Sequence, residues 1–289
     1  MKKSGTAEAN VFRLFSLLRR GDGGRFLLAF RSGAGVENGG TKQMFFLKGN
    51  VLDTVIDFSK MKPWTLVFLE GTAVTIVLSL ITVFIGSLLG FFLTLMRRSH
   101  FKFASAFSRA SSLVVRGTPM LVQLYLWLYA LPKVGIAIPP LPFGGNLFGS
   151  REFSTAVIAL GLNSGAYVSE ILRGGLDAVD KGQSEAARSL GMSQKQTMRK
   201  IIIPQALRVI LPGLGNEFVQ MIKESSIVST VGIFDVMYTS NIVKAATFSV
   251  FEPLIIVAGI YFILTTVLTA VQQQMERRLN VGYRDQRSL

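Results

Sequence analysis

The chain has 289 residues, with 31 Lys and Arg against 17 Asp and Glu for a formal net charge of +14, yet 49% of it is apolar and 17% charged. Together with a mean hydropathy of +0.44, that balance excludes an ordinary soluble domain. Residues 73–96 and 253–271 carry no charge and are long enough as helices to cross a hydrocarbon core of about 30 Å, so the sequence reads as an all-α polytopic membrane protein.

Cysteine is absent and His100 is the one histidine, which excludes disulfides, thiol nucleophiles and a metal or haem site built from His and Cys. No metal or catalytic residue is expected, because only a carboxylate mechanism remains and nothing places two carboxylates together. There is no G-x-x-x-x-G-K-[ST] run, so hydrolysis of ATP on a P-loop is excluded as well. In a membrane chain the excess positive charge points to basic loops held on one side rather than to nucleic acid.

Residues 1–43 differ in composition from the rest, with scattered glycines and basic residues from Lys2 to Lys42 facing only Glu8, Asp22 and Glu37. They predict a disordered tail, or a start placed too far upstream of Met44. Residues 11–20 carry a weak basic amphipathic pattern, and no apolar run of signal-peptide length follows Lys2 and Lys3.

Five spans follow. The first covers 66–96, with Glu70 near its start and Gly86 and Gly90 spaced for close helix packing. The second covers 112–131 and is interrupted at Arg116-Gly117-Thr118-Pro119, where Thr118 as N-cap and Pro119 in the first turn predict a restart through Trp127. Residues 132–152 hold four prolines and several glycines and read as a loop. The third span covers 153–172 and includes Asn163, Ser164 and Glu170; a fourth, unusually polar one covers 209–231 with Pro212, Glu217, Gln220, Lys223 and Glu224; the fifth covers 253–271. One side of the membrane then receives Arg97, Arg98 and Lys102, the basic residues of 173–208, and Arg277, Arg278, Arg284 and Arg287, whereas the other receives Lys133, Arg151 and Lys244. The first side is expected to be cytoplasmic, with the C-terminal tail 280–289 on it.

The loop 173–208 carries the most information. Asp180 suits an N-cap, Gly191 a positive-φ C′ position, and Ser193 with Gln196 a capping box for a second helix that Pro204 interrupts. A DNA-reading helix-turn-helix needs a third helix to close its core, and this pair is tied at both ends to membrane spans. It reads instead as a plug for a groove on a cytoplasmic partner.

Glu185-Ala186-Ala187, three residues, Gly191, nine residues and Ile201-Ile202-Ile203-Pro204 match the EAA-x3-G-x9-I-x-L-P signature of bacterial ABC importer permeases, with Ile203 where Leu is usual. The chain further resembles the polar amino-acid uptake type (histidine, glutamine, glutamate, arginine) at 116–119, Leu121-Val122-Gln123-Leu124, 163–167 with Glu170, Arg173-Gly174-Gly175, Gly182-Gln183, Leu214-Gly215-Asn216-Glu217-Phe218 and Lys223-Glu224-Ser225-Ser226. The resemblance covers residues 45–279. It implies a type I importer permease domain over 44–279 in the bacterial inner membrane, paired with a second permease subunit in lipid. It also implies two separate ABC ATPase subunits that bind ATP and Mg, no cofactor on this chain, and an extracytoplasmic amino-acid-binding protein. Glu185, Ala186, Ala187, Gly191 and Pro204 would belong to the loop that docks on the ATPase.

Ionisable groups inside a span are functional candidates by default. Glu70, Asn163, Glu170, Gln220, Lys223 and Glu224 are therefore candidates for the substrate path, beside Glu217, since an amino acid needs a carboxylate for its ammonium and donors for its carboxylate. Glu170 also lies one turn before Arg173, with which it can pair. An ion-gradient-driven secondary transporter is the physical alternative, but such folds show internal repeats, and none is visible here.

Overall fold

The computed structural model describes residues 20–21, 25–26, 57–140 and 148–284. The chain divides into two units, Met1–Asp57 and Phe58–Leu289. In the first, β1 (Arg20–Gly21) and β2 (Arg25–Phe26) pair antiparallel, Arg20 opposite Phe26 and Gly21 opposite Arg25. The rest of the tail expectation, including the amphipathic pattern over 11–20, lies outside the described residues.

The regular secondary structure described in the second unit is all helical. A 3-10 turn, Phe58–Trp64, leads into α1, Thr65–Arg97. After a short turn come α2 (Lys102–Arg116) and α3 (Met120–Tyr125), the latter prolonged by a π turn, Leu126–Ala130, and a 3-10 turn, Leu131–Val134, that ends on Gly135 at φ +85°. Then follow α4 (Arg151–Asp177), α5 (Lys181–Ser189), α6 (Gln194–Thr197), a π turn (Met198–Ile202), α7 (Ile203–Glu224) and a 3-10 turn (Ser225–Val231). Helices α8 (Val236–Thr247) and α9 (Phe251–Arg284) complete the unit.

The most extensively packed pair is α1 with α4. Their crossing is built on small residues: a Cβ placed on Gly86 would fall 2.6 Å from the Cβ of Ser164, and one on Gly165 would fall 2.9 Å from the Cβ of Leu89. Only glycine lets the two backbones approach this closely. Around the crossing, Leu78, Leu124, Phe153, Leu160, Met221 and Val228 form one apolar core, and Met61, Phe68, Val236, Val243 and Val257 form a second against α8 and α9. Phe84, Phe92, Phe262 and Ile263, by contrast, are 59 to 71% exposed, as suits helices whose outer face meets lipid rather than water.

Two local expectations change, at Thr118 and at Pro204, while the spans stand close to the reading, with Met120–Val134 a shorter apolar helix beside the long ones. Among the described residues, three helices are long and apolar enough to span a membrane, Phe58–Arg97, Arg151–Asp177 and Phe251–Arg278, and a fourth span exists if Gln194–Val231 and Val236–Thr247, bent by 46°, count as one. The second expected span is interrupted where its sequence suggests: α2 ends at Arg116 and a new helix, α3, starts at Met120. Thr118 is no cap for α3, because its hydroxyl donates back to the Val114 carbonyl (2.9 Å) and closes α2, leaving Pro119 as the N-cap. Pro204 does not interrupt its helix either: the chain runs from α6 through the π turn into α7 with Pro204 in the first turn. A π turn shifts the hydrogen-bond register just where proline lacks an N–H and crowds the carbonyl four residues back.

Candidate functional site

Helix α5 begins at Asp180, whose carboxylate accepts from the Gly182 N–H (2.6 Å), and ends in a Schellman turn: Met192 N–H donates to the Ala187 carbonyl (3.1 Å) and Gly191 N–H to the Arg188 carbonyl (3.0 Å). Gly191 holds φ +79°, a conformation open to glycine at no steric cost. Two residues later the Ser193 hydroxyl accepts from Gln196 N–H (3.3 Å) while the Gln196 side chain accepts from Ser193 N–H (2.8 Å), the capping box read from sequence. Every cap of the loop is thus made locally. The result is a stiff helical elbow: Ala187 turns inward and is buried, whereas Glu185, Ala186 and Arg188 face outward and Leu190 is 84% exposed. An apolar side chain so exposed beside two small ones presents a surface shaped to be covered.

The elbow joins α7 without a break, and α7 carries the second cluster. Glu217, Gln220 and Glu224 sit at i, i+3 and i+7 and share a helix face. Glu217 is 6% exposed, and the Ser164 hydroxyl of α4 donates to it (2.7 Å); Gln220 donates to Glu224 (3.0 Å). Gln220, Lys223 and Glu224, with Ser226 and Ile227, line one open cleft of about 500 Å³. Three of the sequence-named path residues therefore meet at one place, and Glu217 lies on the same face one turn before Gln220, buried against α4.

The other three are placed elsewhere. Glu170 accepts from Arg97 of α1 and from Arg173 Nε and Nη2 (3.0 and 2.8 Å), with Arg116 Nη1 at 3.7 Å. Asp177 accepts from Arg98 (2.7 Å) and Arg173 (2.9 Å). Glu170 thus ties α1, α2 and α4 together, while the guanidinium of Arg116 also lies 5.4 Å from the centre of the Tyr167 ring. Asn163 is buried and donates to the Gln123 side chain (3.3 Å), which in turn donates to the Val115 and Thr118 carbonyls (2.7 and 3.0 Å) and so fastens the turn at 117–119 to α4. Glu70 is exposed on α1.

One polar centre goes unnoticed in the sequence reading. Asp235 is fully buried, caps α8 by accepting from Tyr238 N–H (2.7 Å) and accepts from the Tyr261 hydroxyl of α9 (3.4 Å), while Val236 N–H donates to Thr75 of α1 (3.1 Å). The signal available in the sequence is an Asp directly before an apolar helical pattern; in the structure Gly232, three residues earlier, holds φ +83°. Among the described residues, no group of three or more His, Cys, Asp or Glu side chains is arranged to hold a metal ion.

Residues 83–281 match the family described as "Binding-protein-dependent transport system inner membrane component". The chain is 39% identical over 224 residues to the arginine transport system permease protein ArtQ of Bacillus subtilis (strain 168), covering 78% of this chain and 97% of that one. It is 37% identical to a putative glutamine transport system permease protein GlnP of Rickettsia bellii, covering 77% and 97%. Among solved structures it is similar to that described as "Crystal structure of an amino acid ABC transporter with histidines", with 43% identity, 77% and 99% coverage and a TM-score of 0.71. The inward-facing MetNI methionine ABC transporter, at 15% identity and a TM-score of 0.61 over 75% of this chain, is similar in fold. The chain belongs to the family of binding-protein-dependent transport system inner membrane components, and its bundle is the multi-pass permease fold of a type I ABC importer.

Proposed function

We propose that the chain is the membrane-spanning subunit of an ATP-driven importer that moves polar amino acids into the cytoplasm. The observation that carries this reading is the preformed elbow of α5 and α6, with Glu185, Ala186 and Leu190 outward, joined by continuous helix to the polar face of α7. A push on the elbow is then transmitted to Glu217, Gln220 and Glu224 through the π turn and α7, which carries Pro212. ATP and Mg bind separate ATPase subunits, since this chain has no P-loop. An extracytoplasmic binding protein delivers the amino acid, and a second permease subunit completes the path. The C-terminus is cytoplasmic, on the side of the elbow, and the permease domain spans 44–279. The arginine and glutamine named for the relatives support the substrate class, and nothing favours the ion-gradient alternative.

Purification of the tagged protein from its host in mild detergent tests the reading. A stoichiometric P-loop ATPase is expected to co-purify, with hydrolysis stimulated by one polar amino acid and its binding protein. Uptake that follows a proton or sodium gradient, with no ATPase attached, refutes it.

Within this path Glu217 is the carboxylate for the substrate ammonium. Its one hydrogen-bond partner among the described residues is the neutral Ser164 hydroxyl, and a buried carboxylate without a counter-ion is costly unless a cation visits it. Glu217→Gln keeps shape and a bond to Ser164 but removes the charge. Uptake of a cationic amino acid into proteoliposomes is expected to fall by about ten- to a hundredfold, the worth of one charge-assisted hydrogen bond, with assembly intact. Unchanged uptake removes Glu217 from the path.

A further inference from the structure

Helix α2 is 15 residues long, about 22 Å at 1.5 Å per residue, yet its contacts stay at one level of the bundle. The Ser105 hydroxyl donates to the Arg97 carbonyl (3.0 Å) and that of Ser108 to the Leu93 carbonyl (2.8 Å) of α1. The hydroxyls of Ser112 and Ser169 of α4 lie 3.2 Å apart, and Arg116 reaches Glu170. On the bundle, these α1 and α4 positions are neighbours: the Thr94 hydroxyl donates to the Ser169 carbonyl (3.3 Å), and Arg97 pairs with Glu170. From Ser105 to Arg116, therefore, α2 climbs by no more than about a turn of α1. It lies across the ends of α1 and α4, fastened by serines, and does not descend between them. The level is that of the elbow, because Asp177, bonded to Arg98, is three residues from the Asp180 cap of α5.

The face turned away from the serines is built for an interface. Phe103, Phe107, Ala110 and Val114, at i, i+4, i+7 and i+11, form one stripe, with Phe103 85% and Phe107 52% exposed. Lys102 and Arg109, seven residues apart, line its flank at about 10 Å spacing, both exposed. No Asp or Glu occurs between Glu70 and Glu152, and among the described residues neither Lys102 nor Arg109 has a carboxylate within ion-pair distance. Among the described residues, the acids that pair at this corner, Glu170 and Asp177, are already engaged by Arg97, Arg98, Arg116 and Arg173. The local charge is left strongly positive beside an exposed aromatic stripe.

We infer that α2 is an interfacial helix that holds an anionic phospholipid, its phosphate between Lys102 and Arg109 and its acyl chains against Phe103 and Phe107. Basic residues on the flank of an aromatic-rich apolar face are the pattern by which in-plane helices select anionic headgroups. Because Arg116 of α2 shares Glu170 with Arg97 and Arg173, an occupied lipid site braces the end of α4 from which the elbow projects. The inference rests on membrane insertion and not on which amino acid is carried.

The assembled transporter, reconstituted in vesicles of equal phosphatidylglycerol and phosphatidylcholine, is extracted and its retained lipids are counted by native mass spectrometry. Preference for phosphatidylglycerol is expected in the wild type and is expected to fall about twenty-five-fold in Lys102→Gln/Arg109→Gln, taking about a fivefold loss per basic residue. The charge-keeping pair Lys102→Arg/Arg109→Lys reports folding and is expected to retain the preference. Equal retention of the two lipids by the wild type overturns the inference, as does a loss in the charge-keeping pair equal to that in the glutamine pair. Displacement of the lipid by inorganic phosphate also overturns it, since the site then belongs to a free anion.

Discussion

Gly90→Leu is expected to abolish the folded permease, and Gly90→Ala to destabilise it measurably. At Gly90 even a Cβ would fall 2.6 Å from Val168 Cγ1 and 2.9 Å from the Gly165 carbonyl oxygen. Val168 is β-branched and has little rotamer freedom in a helix, and a backbone carbonyl cannot move without moving α4. The substitution thus drives α1 and α4 apart along their whole crossing. Overpacking a well-filled core costs about 1–3 kcal/mol for a modest increase in side chain; here the clash begins at the first carbon and grows with each further one. Gly174→Ala is the control, because a Cβ there meets nothing within 4 Å, and alanine is the better helix former by about 1 kcal/mol. Detergent-extracted protein followed by thermal unfolding and size exclusion separates the cases: Gly174→Ala at or above wild type, Gly90→Ala below it, Gly90→Leu aggregated. A monodisperse Gly90→Leu protein of wild-type stability would mean that the α1–α4 crossing is not the fixed frame of the bundle.

That frame was half visible in the residues. The spacing of Gly86 and Gly90 announces a close approach, but their partners Ser164, Gly165 and Val168 are known only once α4 is laid beside α1, because pairing between helices is set by tertiary packing and not by local sequence. The caps of the elbow were legible, since they are formed by residues within a few positions of one another: Asp180 with Gly182, Ser193 with Gln196, and Gly191 with its own turn; the unbroken passage through Pro204 was not. Nor was helix α2. Ser108 and Ser112 look like surface residues in sequence and are buried, while Phe103 and Phe107 look like core and are exposed. A hydropathy window slides over that reversal and merges the end of α2 with the apolar α3 into one apparent span. Glu170 shows the same limit in a different form: Arg173 is readable one turn away, but Arg97 and Arg116 arrive from helices more than fifty residues distant in sequence. Those distant cations add to the Arg173 pairing that the sequence offers and make Glu170 a three-helix clasp.

Gly191→Val is expected to separate ATP hydrolysis from transport while leaving insertion and assembly unchanged. At Gly191 a Cβ would meet nothing within 4 Å, so the cost of a side chain is not steric crowding by neighbours but the backbone itself, held at φ +79°. A β-branched residue there is disfavoured by about 1–3 kcal/mol, roughly what each of the two Schellman bonds and the capping box contributes. The turn therefore has a comparably stable alternative in which α5 and α6 no longer meet at the same angle, and Leu190 and Glu185 no longer present one surface. Asparagine tolerates the left-handed region, so Gly191→Asn is expected to keep most of the coupling. Proteoliposomes containing the full assembly supply both readouts: for Gly191→Val, transport per ATP hydrolysed falls about tenfold or more, the effect of about 1.4 kcal/mol on a two-state turn, while Gly191→Asn stays near wild type. If the two substitutions behave alike, the positive φ is not what shapes the elbow; if transport per ATP is unchanged in both, the elbow is not the element through which the ATPase moves α7.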